Sequence, residues 1–130
     1  MECPICKEPM IVLELHEVEI DYCTVCEGIW LDAGELELLL ESVEEKDTVL
    51  NSFVVDTTTK EKKVKCPLCI KRMDKILCGK DKGIRIDKCT NGHGIWFDKG
   101  ELQEIIKAGA IDANNKILTM LKDMFAHTVS

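Results

Sequence analysis

The chain has 130 residues, 45% of them hydrophobic but only 5% aromatic, and it contains 8 cysteines. Its formal net charge of −7 argues against a protein whose whole surface binds nucleic acid. No apolar run approaches the ~18 residues of a membrane-spanning helix, and the N-terminal residues lack the regions of a secretory signal. We therefore expect a cytoplasmic protein with no membrane partner. Its cysteines should be reduced thiols, and at this density they indicate metal binding.

The chain repeats one pattern twice. Each copy begins with Cys-Pro-x-Cys, at Cys3 and Cys66, and each later contains Gly-Ile-Trp, at 28–30 and 94–96. The cysteine pairs are offset by 63 positions and the Gly-Ile-Trp segments by 66. The second copy therefore has three more residues, which we place in the loop of a β-hairpin because glycines occur there.

The first copy contains two Cys-x-x-Cys pairs at hairpin spacing. Two residues between cysteines allow one tight turn to direct both sulfurs at a single ion, and two such knuckles complete a tetrahedron. A pair of redox dithiols is the alternative, but the chain lacks the βαβ context of that motif. The spacing predicts a structural zinc site formed by Cys3, Cys6, Cys23 and Cys26.

The second copy departs from this pattern at its last ligand. Gly92 stands where the first copy has Cys26, and His93 follows it. Cys89 and His93 are separated by three residues, a spacing that suits two ligands of one ion. The second predicted zinc site consists of Cys66, Cys69, Cys89 and His93.

Three further residues could in principle bind metal. Cys78 competes with His93 for the fourth ligand position, but it lies inside the predicted hairpin and would need a bend to reach the ion. We interpret it as a thiol outside the metal site. His16 and His127 have no partner at ligand spacing and are expected in solvent.

Four protein ligands leave no open coordination position, so the expected role of the metal is structural and not catalytic. Each unit has about forty residues, a size at which a hydrophobic core alone falls short, and structural zinc contributes on the order of 10 kcal/mol in small fingers. We expect two zinc ions per chain, no catalytic residues, no other cofactor and no enzyme activity.

The segments 28–36 and 94–102 repeat Gly-Ile-Trp-(Leu/Phe)-Asp-x-Gly-Glu-Leu. We interpret the glycines as a tight exit from each knuckle and the tryptophans as cover for the ribbon and anchors of the helix. The alternative is an interaction epitope or an acid–base pair, which would need a cleft. The Asp-x-x-Glu spacing predicts capping boxes at helix starts, at Asp32 with Glu35 and Asp98 with Glu101.

The remaining segments connect and follow the two copies. Val54 and Val55 favour an extended segment that can pair with a strand, and Ile117, Leu118, Leu121 and Phe125 recur at helical spacing. We expect separate units, so that loss of Cys26 unfolds only the first. The predicted organisation is a first zinc ribbon with helix over 1–46, a linker over 47–63, a second ribbon with helix over 64–109, and a C-terminal amphipathic helix and tail over 110–130.

This combination of knuckles and Gly-Ile-Trp-(Leu/Phe)-Asp-x-Gly-Glu-Leu resembles the TFIIB-type "transcription factor zinc finger" ribbon family, present here in tandem over roughly 1–42 and 64–108. The resemblance implies two zinc ribbons with the eight ligands named above. The expected fold is a small metal-stabilised α+β protein. Each ribbon is a β-hairpin and knuckle unit followed by a helix, and a C-terminal helix packs across them.

Charge is distributed unevenly. Residues 1–47 carry 14 acidic and 2 basic side chains, whereas residues 60–88 carry 11 basic and 4 acidic ones. We expect a non-enzymatic protein-interaction module with a protein partner, and the opposite charges would also suit a homo-oligomer. One alternative is a transcription-related regulator that contacts nucleic acid through 60–88, although this stretch lacks aromatic residues for base stacking. Another is a rubredoxin-like iron electron carrier. The nucleic-acid alternative depends on Lys71, Arg72, Lys75, Lys80, Lys82, Arg85 and Lys88.

Overall fold

The two copies form one antiparallel sheet of seven strands, in the order β1-β2-β3-β7-β6-β5-β4. The structure, a computed structural model, describes residues 1–59, 61–79, 83–109 and 115–128. Each copy contributes a hairpin and a third strand, and the segment between the copies adds β4 at one edge. The strands are β1 Ile11–Leu15, β2 Val18–Tyr22, β3 Ile29–Asp32, β4 Val54–Val55, β5 Asp74–Cys78, β6 Ile84–Lys88 and β7 Gly94–Phe97.

The copies join through β3 and β7, the strands that carry Gly-Ile-Trp. In this antiparallel pair Trp30 lies opposite Trp96, and Ile29 lies opposite Phe97. Because equivalent residues face each other, the two copies are related by an approximate two-fold axis through the tryptophan pair. Each copy therefore completes the sheet of the other. The residue boundaries of the predicted units stay a prediction, but the sheet is continuous across them.

Side-chain alternation divides the sheet into two faces, as expected for strands of period two. On one face, Ile29 and Leu31 of β3 and Ile95 and Phe97 of β7 are buried against the helices. On the other face, Trp30 and Trp96 are buried among cysteines of both predicted metal sites. The sheet is thus a central layer between a helical core and the candidate metal centres.

In the part of the chain that the structure describes, four α-helices cover the first face. The spacing of Leu36, Leu39, Leu40 and Val43 predicts one helix after Asp32. These four residues are buried as expected, whereas Leu38 is 50% exposed. That helix is shorter than predicted, because a 3₁₀ turn at Leu40–Ser42 ends it and Val43 is extended. No basic residue lies in its last turn, so nothing there offsets the negative end of the helix dipole. The helices are α1 Glu35–Leu39, α2 Lys46–Leu50, α3 Glu101–Gly109 and α4 Lys116–Thr128.

The segments outside the copies complete the core. Val54 and Val55 pair with Leu77 and Ile76, which confirms the predicted strand pairing of this segment. Of the predicted C-terminal helix, residues 110–114 and 129–130 lie outside the described residues, as do the side chains of Phe125 and His127. In α4 the buried residues are those of the predicted apolar stripe, namely Ile117, Leu118 and Leu121.

The predicted fold class is confirmed: the protein is a small α+β structure built from two tandem ribbons. Among the described helices, none combines the length and apolar character needed to cross a membrane.

Candidate metal centres

Three of the four knuckles share one backbone design. In the first, the Cys3 carbonyl accepts from the N–H of Lys7, and the Cys3 N–H donates to the carbonyl of Glu8. The residue after the second cysteine is left-handed, with φ of 67° at Lys7, 62° at Glu27 and 64° at Ile70. This conformation turns the chain so that both sulfurs of a pair lie on the same side.

The fourth knuckle closes one residue earlier. Gly92 has φ of 76° and donates its N–H to the Cys89 carbonyl, so the left-handed residue stands at the position of Cys26. The next residue is then His93, whose longer side chain reaches the place that the cysteine sulfur occupies in the first copy. The glycine substitution and the histidine ligand therefore belong to a single change in backbone geometry.

The first predicted site is assembled at the ends of β1 and β2. The Sγ atoms of Cys3 and Cys26 are 3.9 Å apart, and those of Cys6 and Cys23 are 3.5 Å apart. These distances are far longer than the ~2.05 Å of a disulfide bond. All four sulfurs lie within 4.8 Å of one another.

The second predicted site has the same compactness. The Sγ atoms of Cys69 and Cys89 are 3.6 Å apart, and the Cys89 Sγ lies 3.4 Å from His93 Nδ1. The four ligand atoms of Cys66, Cys69, Cys89 and His93 again lie within 4.8 Å of one another. The structure thus brings together all eight predicted ligands, in the predicted two groups.

These two donor sets fit two zinc ions. Zinc binds thiolate at ~2.3 Å in a tetrahedron, which places its sulfurs roughly 3.8 Å apart, close to the separations observed. Backbone N–H groups support the sulfurs, since those of Ile5 and Leu68 point at Cys3 and Cys66 at 3.4 Å each. Such hydrogen bonds stabilise thiolates, the form that binds metal.

Within each site the cysteines differ in the pKa of their thiols. A hydrogen bond from the Lys71 backbone lowers the pKa of Cys69 to about 6, whereas burial raises the pKa of Cys66 to about 11. In the first site the pKa of Cys6 is likewise lowered, by the Glu8 backbone, and burial raises that of Cys3. A bound dication supplies the charge that buried thiolates need, so metal binding releases protons.

The two tryptophans lie between the metal sites and cross from one copy to the other. A Cβ atom added at Gly28 would collide with the indole ring of Trp96. One at Gly94 would collide with the Leu31 carbonyl oxygen and would lie 2.7 Å from Cζ2 of Trp30. These glycines therefore make room for the other copy's tryptophan. Neither Gly28 nor Gly94 has a positive φ. The predicted tight exit from the knuckle therefore does not explain why these positions hold glycine.

The Asp-x-x-Glu motifs form half of the predicted capping boxes. The Asp32 N–H donates to Glu35 Oε1 at 2.6 Å, and the Asp98 N–H donates to Glu101 Oε1 at 2.7 Å. The other half of the prediction is wrong, because the Asp32 carboxylate accepts from the indole N–H of Trp30, at 2.9 Å. Asp98 accepts from Trp96 in the same way. A buried indole N–H needs an acceptor, and the aspartate provides it.

The other metal-binding candidates lie elsewhere. Cys78 is buried in the helical core, and its Sγ lies 3.6 Å from the Ile84 carbonyl oxygen. It does not replace His93. His16 is half-buried at the β1–β2 turn with φ of 50°, outside both ligand groups.

Two of the basic residues in the stretch 60–88 are paired with acidic residues of the fold. Lys75 is buried and pairs with Asp87 at 2.6 Å, and Arg85 pairs with Asp56 and Glu61. Lys80 and Lys82 lie outside the described residues. Sequence reasoning missed these pairings because cross-strand register decides them.

Comparison with protein-family models agrees with the assignment of two zinc ribbons. Residues 2–42 and 65–108 each match the model of the transcription factor zinc-finger family. The chain belongs to this family. The predicted resemblance, in tandem copies, is confirmed. Comparisons with curated proteins and with solved structures returned no match.

Proposed function

We propose that this tandem zinc-ribbon protein is a non-enzymatic module that binds a partner protein in the cytoplasm. The observation that carries the proposal is the exposure of aliphatic side chains on the knuckles. Ile5, Val25, Leu68 and Ile70 are 47%, 66%, 50% and 67% exposed. Exposed aliphatic side chains on rigid turns are typical of protein contact sites.

A structural role for the metal supports the absence of catalysis. Each site offers four protein ligands, which leaves no coordination position for water or substrate. The metal groups also lie in one buried cluster with both tryptophans. Zinc would then hold the knuckles in the conformation that presents their apolar tips.

The proposal can be tested with a knuckle variant. In the zinc-loaded chain, Ile5→Ser, Val25→Ser, Leu68→Ser and Ile70→Ser remove the apolar tips together. The matched control is Leu38→Ser with Val54→Ser and Val55→Ser, which removes exposed aliphatic side chains from a helix and an edge strand. Quantitative crosslinking and affinity capture from the host cell should recover a protein that the control retains and the knuckle variant loses.

Two outcomes would contradict the proposal. If both variants lost the captured protein equally, the knuckle side chains would not form the contact with the partner. Tight binding of nucleic acid at physiological salt, with no protein partner, would favour the transcription-related alternative. Elemental analysis tests the iron-carrier alternative, for which we expect two zinc ions per chain and no iron absorbance.

A further inference from the structure

A groove lies between the two copies, on the same face of the sheet as the metal sites. It has a volume of about 530 Å³. The first knuckle contributes Pro4, Ile5 and Lys7, and the segment that leads into the second copy contributes residues 62–65. Arg72 completes it. We call this feature the inter-repeat groove.

The inter-repeat groove is cationic, and none of its described lining residues is acidic. Of the described residues, Lys62, Lys65 and Arg72 form no salt bridge, and Lys7 directs its Nζ to the Pro4 carbonyl oxygen at 3.3 Å. Lys63 makes one long ion pair, with Asp74 at 3.6 Å. Since Lys75 and Arg85 are neutralised elsewhere, this groove holds positive charge that the fold itself does not use.

The apolar part of the lining lies beside these cations. Val64 is half-buried against the cysteine and tryptophan cluster, and Ile5 is half-exposed at the knuckle tip. A ligand for this groove should therefore combine negative charge with an aliphatic group. None of the lining residues that the structure describes is aromatic, and Trp30 and Trp96 are fully buried, so these residues offer the bases of a nucleic acid no stacking surface.

From this combination we infer that the inter-repeat groove binds an acidic peptide segment of a partner protein, with an aliphatic side chain of that segment seated between Ile5 and Val64. The inference rests on the proposed protein-binding function and names its partner chemistry. Because the two copies supply opposite walls, the site exists only in the full chain.

The test uses the zinc-loaded full chain and a fluorescein-labelled peptide of six glutamates and two leucines, followed by fluorescence anisotropy. Lys62→Glu with Arg72→Glu should weaken binding about tenfold or more, because two attractive contacts become repulsive. Lys107→Glu with Lys122→Glu has the same net charge, and its exposed lysines lie on α3 and α4. This control should stay within about twofold, since distant exposed charges are screened.

Two further probes isolate the chemistry of the ligand. A peptide with glutamine in place of glutamate should not bind, and one with serine in place of leucine should bind more weakly. If charge reversal disturbs folding, seen as fewer than two zinc ions per chain, the neutral pair Lys65→Gln and Arg72→Gln replaces it. That pair should weaken binding about threefold to tenfold.

The inference is overturned by any of three results. First, Lys62→Glu with Arg72→Glu and the control Lys107→Glu with Lys122→Glu could weaken peptide binding equally, which would indicate an effect of net charge and not of the groove. A labelled single-stranded oligonucleotide can bind more tightly than the peptide and be lost in the groove variant. A concentration-dependent mass that the groove variant abolishes assigns the groove to a second copy. If the peptide fails while knuckle-dependent capture persists, only the groove assignment falls and the proposed function stands.

Discussion

At the scale of single residues, the knuckles impose a backbone conformation on side chains that disfavour it. Lys7, Glu27 and Ile70 all adopt the left-handed region directly after a cysteine pair. For an L-residue this conformation costs roughly 1–2 kcal/mol, and most for β-branched side chains. Only the fourth knuckle places glycine there, at Gly92. The metal site tolerates this cost because the ligands over-determine the turn.

We predict that Ile70→Gly stabilises the zinc-loaded protein by about 1 kcal/mol, because glycine adopts this φ without strain. Little packing is lost, since Ile70 is 67% exposed. Urea unfolding in excess zinc measures the change. Ile70→Ala is the control, and it should give a smaller gain, because it removes the β-branch but its Cβ retains the rest of the strain. Equal gains from alanine and glycine would show that side-chain exposure, and not backbone strain, was the cause.

Glu101 makes a second prediction at this scale. Burial, together with the neighbouring charge of Asp98, raises its pKa to about 8, against an ordinary value of 4.5. Between about pH 4.5 and pH 8, Glu101 is therefore protonated in the folded state and ionised in the unfolded state. Its contribution to stability is present below about pH 4.5 and is lost as pH rises to about 8.

Glu101→Gln should remove this loss while keeping the oxygen that accepts from the Asp98 N–H. Relative to the natural chain, the variant should gain stability as pH rises from about 6 to 8, by at most ~1.4 kcal/mol per pH unit. Urea unfolding at several pH values in excess zinc measures the difference. Glu37→Gln, an exposed change on α1, controls for net charge. Parallel stability curves for the natural chain and Glu101→Gln would refute the pKa assignment.

At the scale of elements, the pairing of β3 with β7 determines why Gly-Ile-Trp occurs twice. Each glycine provides the space for a tryptophan of the other copy, and each tryptophan donates to the aspartate that precedes its own helix. One short strand therefore connects a knuckle, the opposite copy and a helix start. The Ala33 N–H also donates to the His93 carbonyl at 3.1 Å across the same boundary.

Gly28→Ala should destabilise the protein by about 1–3 kcal/mol, a cost typical of overpacking in a rigid core. The new methyl group would collide with Trp96. Chemical unfolding measures the loss, and the emission of Trp96 in a Trp30→Phe background should change although the substitution lies in the first copy. Gly34→Ala is the control. A Cβ atom added at Gly34 would have no neighbour within 4 Å, and the residue has φ of 90°. The substitution should therefore cost only about 1 kcal/mol, from backbone strain. An unchanged Trp96 emission would contradict the contact.

The sequence predicts these elements unevenly, for physical reasons. Cysteine spacing specifies the ligands because a knuckle is a local structure, and even the shift to His93 follows from neighbouring residues. The pairing of β3 with β7 is not local, and two repeated hairpins could equally have formed separate sheets. The role of Gly28 depends on that pairing, because its contact is with Trp96 of the other copy. Asp32 accepts from Trp30 in its own strand, a bond that the capping-box pattern does not predict. The early end of α1 likewise depends on packing beyond Ser42.

At the scale of the whole molecule, the two metal sites share one buried cluster. Cys23 and Cys89 are both part of it, with the tryptophan pair between them. Lys99 of the second copy also pairs at 2.7 Å with Glu27, which follows Cys26 of the first. A structural zinc ion supplies folding free energy. Because the two sites share this core, loss of one ion should weaken the binding of the other.

We therefore predict that Cys26→Ser weakens zinc binding at both sites, whereas separate units would confine the loss to the first. The second ion should leave the variant at a chelator concentration at least about tenfold lower, since neighbouring sites in one core couple by about 1–3 kcal/mol. Native mass spectrometry across a chelator titration counts the ions per chain. Cys78→Ala is the matched control, because Cys78 lies in the helical core and outside both ligand groups, and it should keep both ions. Retention of the second ion with unchanged affinity in Cys26→Ser would show that the ribbons fold independently despite their common sheet.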